Sequence, residues 1–138
     1  MSKILGPLKI DTDSDDYHNT FNWVAHPASN LDLEDRRKDM IVLGGITDDD
    51  ASYSYDYWAL VLLDGRYYSF STSGCSCPSP SETCRIEIGR STLDGIQKHI
   101  ESGDYSGYTL PKKQYSQFME VIEHARSLEK KVKPRALP

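Results

Sequence analysis

Asp64 and Gly65 stand between two β-rich runs, SYSYDYWALVLL (52–63) and RYYSFSTS (66–73). An Asp-Gly pair in that position favours a two-residue type I′ turn, whose twist matches that of the strands it joins. The turn sets the register. Leu63 falls opposite Arg66, Val61 opposite Tyr68, Ala59 opposite Phe70, and Tyr57 opposite Thr72. Side chains alternate along a strand, so Tyr57, Ala59, Val61, Leu63, Tyr68 and Phe70 share one face. Trp58, Leu60, Leu62 and Tyr67 share the other. Both faces are partly apolar. The hairpin is therefore expected mid-sheet, with each side covered or with one side used for binding.

The rest of the chain supplies partners for it. The first ten residues suit a short edge strand. Residues 20–26 (TFNWVAH) have strand-like content that stops at Pro27, and Met40–Ile46 (MIVLGGI) is an apolar run suited to a buried strand. TDDDAS (47–52) reads as a loop, and RIEIG (85–89) as a short strand. Two helices follow. STLDGIQKHIESG (91–103) places Leu93, Ile96 and Ile100 on one face, with Ser91 as N-cap, Asp94 three residues on, and Gly103 as the stop. The second runs over about 112–131, with a stripe of Tyr115, Phe118, Met119, Ile122 and Ala125. Strands followed by helices predict one α+β domain over residues 1–138. It would have a small antiparallel sheet around the central hairpin and two C-terminal helices packed on one face. Residues 1–35 read as loop-rich, and 132–138 as a frayed basic tail.

The chain has 138 residues and a net charge of −5, unevenly spread. Residues 1–64 carry a net −8 and residues 65–138 a net +3. An acidic half of this kind suits a solvated surface or a face that docks on a basic protein. The acidic balance disfavours nucleic acid as a partner. There is no apolar run long enough to span a membrane and no leader-like segment at the N-terminus, so the expected location is the cytoplasm. DTDSDD (11–16) lacks the glycine and the closing Glu of a calcium loop. LGGI (43–46) lacks the Lys-Ser/Thr of a phosphate loop, and neither G-x-S-x-G nor H-E-x-x-H occurs. The chain thus offers no motif for an enzyme, and the catalytic set is expected to be empty.

Every cysteine lies in GCSCPSPSETC (74–84). Cys75, Cys77 and Cys84 give a C-x-C-x6-C spacing. With a histidine, three thiolates could hold zinc, and His99, His26, His18 and His124 are the candidates for the fourth ligand. The paired knuckles of most structural zinc sites are absent. A Cys77–Cys84 disulfide and a nucleophilic cysteine are the other active readings. The plainest reading is a stiff proline-rich turn whose cysteines act as small apolar residues, with no cofactor.

The segment YYSFSTSGCSCPSPSE (67–82) resembles a group of small uncharacterised proteins of actinobacterial phages. These have a Tyr-rich strand running into a G-C-S-C-P-S-P loop, then a helix that starts like Thr92, Leu93, Asp94 here. The resemblance spans about residues 55–100. It implies a phage origin and expression in the host cytoplasm, and it transfers no catalytic residue. The leading expectation is a non-enzymatic accessory protein that binds a host protein or defence component. Its contact candidates are Tyr53, Tyr55, Tyr57, Trp58, the acidic run Asp48, Asp49 and Asp50, and the 75–84 loop. One alternative is an oligomeric sponge for a nucleotide-like ligand, with Arg66, Arg85 and Arg90 on phosphates. Another is a zinc-stabilised interaction module built on Cys75, Cys77, Cys84 and His99.

Overall fold

The computed structural model describes residues 2–11, 21–26, 31–50, 54–75, 84–102 and 115–136. Among these residues, five strands form one antiparallel sheet in sequence order: β1 (Ser2–Lys9), β2 (Ile41–Asp50), β3 (Ser54–Leu63), β4 (Arg66–Cys75) and β5 (Arg85–Arg90). A 3-10 helix spans Glu34–Asp39, and two α-helices close the chain, α1 (Leu93–Ser102) and α2 (Tyr115–Ala136). The architecture is the expected α+β arrangement of an antiparallel sheet followed by two helices packed against it.

The hairpin folds as its turn dictates. Asp64 and Gly65 have φ of 54° and 78°, the two left-handed positions of a type I′ turn. All four expected cross-strand pairs are observed, from Leu63↔Arg66 to Tyr57↔Thr72. Arg36 of the 3-10 helix donates from Nη2 to both carboxylate oxygens of Asp64, at 2.7 and 2.6 Å. This contact raises the Arg36 pKa, chiefly through the hydrogen bond to Asp64.

The two hairpin faces enter two separate cores. Trp58, Leu60 and Tyr67 meet Leu93, Ile96, Ile100, Phe118, Val121, Ile122 and Ala125 beneath the helices. Trp58 meets Phe118 in a tilted ring contact with centroids 4.6 Å apart, and its indole N–H donates to Ser69 Oγ at 2.6 Å. That bond matters because a buried indole donor without an acceptor would lose its hydration uncompensated. Tyr57, Ala59, Val61, Leu63 and Phe70 face the opposite way, onto Phe21, Trp23, Val24, Ala25 and Met40.

That second cover corrects the reading of residues 20–26 as strand-like. Residues 22–25 form a turn laid across the sheet, with φ of 57° at Phe21 and 51° at Ala25. Left-handed backbone costs roughly 1–2 kcal/mol per non-glycine residue, so something must hold this strap. Buried Arg37 does so. Its Nη2 donates to the Asn22 carbonyl at 2.7 Å and its Nε to the Val24 carbonyl at 3.2 Å. Trp23 is wholly buried, 6.3 Å from the Phe21 ring and 6.1 Å from that of Tyr57.

Other boundaries also shift. β2 runs on through Asp50, so residues 47–50 continue the strand where a loop is expected. The α1 cap is Thr92 rather than Ser91, since the Gly95 N–H donates to Thr92 Oγ1 at 3.1 Å. Asp94 instead meets Arg126 of α2 at 2.6 Å, and the same guanidinium holds Gln97 and Glu123, which ties the helices together. The helical backbone of α2 extends to Ala136, past the expected limit near residue 131.

Candidate interaction edge

A five-strand meander leaves two edges, and they differ. β1 is interrupted: its pairing with β2 shifts between Leu5 and Leu8, and Pro7 between them has no N–H to offer. α2 also reaches over this edge, through Lys3 to Glu120 and through His124 to the Gly6 carbonyl. β5 pairs with β4 on its inner side, and among the described residues no strand lies along its outer side.

A bulge shapes β5. Ser69 pairs with Ile88 while Phe70 pairs with Ile86, so Glu87 is the extra residue. The bulge sends Ile86 into the strap-side core and Ile88 into the helix-side core. It also places Arg85, opposite Ser71, on the same face as Arg90, opposite Tyr67. Without the extra residue, positions 85 and 90 would point to opposite faces. The Glu87 side chain is 0% exposed. It accepts from Ser71 Oγ at 2.5 Å and from Arg85 Nε at 2.7 Å. Arg85 retains one buried nitrogen, Nη2, with no hydrogen-bond partner among the described residues. Arg90 is exposed, its aliphatic stem lying over the open face of Gly95.

Cys84 sits at the base of this strand, buried at 7% exposure. Burial pushes its thiol up to about 12, outweighing a backbone hydrogen bond at Ala25 and the nearby charges of Arg85 and Arg37. It is therefore a neutral packing thiol, poorly suited to attack a substrate. His99 lies on α1, on the other face of the sheet from the core that holds Cys84, so those two candidate ligands are not brought together. His26 follows Ala25 on the strap side, and His124 belongs to α2. Cys77 and His18 lie outside the described residues, as does the Cys75 side chain. Among the described residues no group of three or more His, Cys, Asp or Glu is arranged to hold a metal.

The remaining candidates divide in the same way. Tyr57 and Trp58 are buried, one in each core, and neither presents a contact surface. Tyr53 lies outside the described residues. Tyr55 pairs with Gly74, and Asp48, Asp49 and Asp50 pair with Asp56, Tyr55 and Ser54, but their side chains lie outside the description. Arg66 and Arg90 share one end of the β4–β5 ladder, while Arg85 is about 13 Å away along β4, four residues at the strand rise. That separation does not converge on one phosphate. The Glu87 bulge was missed from sequence, where RIEIG reads as an unbroken strand. Among the described residues no helix is long and apolar enough to cross a membrane. No protein-family profile matches the chain, and neither curated proteins nor solved structures give a match.

Proposed function

We propose that this protein is a non-enzymatic accessory protein of phage type that binds a host protein or defence component. The observation that supports the reading is the β5 outer edge. It is a strand edge with an arginine at each end, Arg85 ion-paired to Glu87 and Arg90 exposed, and it follows in sequence the cysteine loop on which the phage resemblance rests. Where both sheet faces are filled by the protein's own cores, recognition falls to edges and loops. Arg85, Arg90 and Arg66 are the contact residues of this reading, in place of the buried Tyr57 and Trp58.

The test is affinity capture from host lysate with cross-linking, using the full chain as bait. The expected result is a defined host protein, recovered in proportion to bait and lost as salt rises. Recovery of background proteins alone would end the reading. Native mass spectrometry of the same preparation separates the alternatives. A bound nucleotide-sized mass would favour the sponge, and one zinc per chain the metal module.

A further inference from the structure

Resting on that binding role, we infer that the outer edge of β5 accepts an extended partner segment as an added strand. The segment would carry a carboxylate at each end of its contact with β5. Backbone groups along a sheet edge give such a contact its affinity, and side chains at alternate positions give it specificity.

Three observations select this occupant. The first is the contrast between edges. β1 is broken by Pro7 and a register shift and is overlain by α2, whereas β5 has no described strand on its outer side. The second is local charge. The chain is acidic overall, yet Arg85 and Arg90 close the two ends of β5. The one carboxylate of the strand, Glu87, is turned inward onto Ser71 and Arg85. The third is the bulge, which puts both terminal arginines on one face. An incoming strand meets them with acidic residues at i and i+4, which also share a face.

The same charges discriminate against a second copy. A two-fold antiparallel pairing of β5 with itself sets Arg85 opposite Arg90 at both ends, and like charges directly opposite destabilise a pair. The edge is thus guarded against self-association and open to the opposite sign.

The test uses the full chain and a fluorescein-labelled peptide, Thr-Glu-Val-Thr-Val-Glu-Thr, followed by anisotropy and amide hydrogen exchange. The expected result is salt-sensitive binding with new protection confined to residues 85–90. Arg90→Glu should weaken binding roughly tenfold, about one charge contact's worth. Arg90→Gln, which removes the charge without reversing it, should weaken it in the same direction and serves if Arg90→Glu perturbs the fold. Lys9→Glu on the opposite edge should change nothing. A peptide with lysines in place of the glutamates should not bind. The inference is overturned by absent binding, by equal binding of the lysine peptide, by protection outside β5, or by a dimer that protects β5 without peptide. Failure of the lysate capture alone would remove the host-binding role and leave the charge preference of the edge standing.

Discussion

Cys84 is the only cysteine whose side-chain surroundings are described, and burial governs its chemistry. With the thiol pushed up to about 12, almost none is thiolate near neutrality, so iodoacetamide should modify Cys84 far more slowly in the native protein than in denaturant. Peptide mapping of alkylated protein checks this, and fast native labelling at Cys84 would contradict the packing shown. Arg37 is the other decisive side chain. It is buried and donates to two carbonyls of a strap with two left-handed residues. Arg37→Met removes those donors and leaves the carbonyls without them, at about 3 kcal/mol. Urea unfolding should show that loss, and Trp23 emission should shift to the red as the strap lifts. Arg37→Lys should rescue only part, because an ammonium lacks the planar fork.

β2 shows how an element accommodates layers on both sides. Gly44 and Gly45 are adjacent and face opposite ways. A Cβ at Gly44 would stand 2.7 Å from Val121 Cγ1 beneath α2. One at Gly45 would stand 2.4 Å from the Trp58 carbonyl oxygen and 2.5 Å from the Phe21 ring. A methyl tip can yield more readily than backbone, so Gly45→Ala should destabilise more than Gly44→Ala, each by about 1–3 kcal/mol, in denaturant melts. The run MIVLGGI announced a buried strand. It did not announce why two glycines sit in it, because the reason lies in Phe21 and Val121, far along the chain. The hairpin is the opposite case. Gly65 has open space around its α-carbon, so Gly65→Val should cost only backbone strain, about 1–2 kcal/mol. Local chemistry explains that turn completely, which is why its register was legible from two residues.

Taken as one cooperative unit, the protein should lose stability at alkaline pH. Cys84 and Tyr67 both have raised pKa values in the folded state. Burial is the first cause for each, and Glu129, which accepts from the Tyr67 hydroxyl, adds to it for Tyr67. Unfolding returns them to ordinary values of 9.0 and 10.0. Between the unfolded and folded values the native state holds more protons than the unfolded one. Stability is therefore complete below about pH 8 and declines as pH climbs toward 12. Urea unfolding from pH 7 to pH 11 should show this slope, and Cys84→Ala should make it shallower. What the sequence determined by itself is what depends on neighbours along the chain: the I′ hairpin and its register, the apolar stripes of the two helices, and the order of strands then helices that defines the α+β class. Three features came only with the folded chain: the strap over the second face, the glycine pair with Gly45 beneath that strap and Gly44 beneath α2, and the shared face of Arg85 and Arg90. Each depends on residues distant in sequence or on a one-residue bulge. Local propensity does not encode such contacts, because their energy arises only when separate segments are brought together and packed.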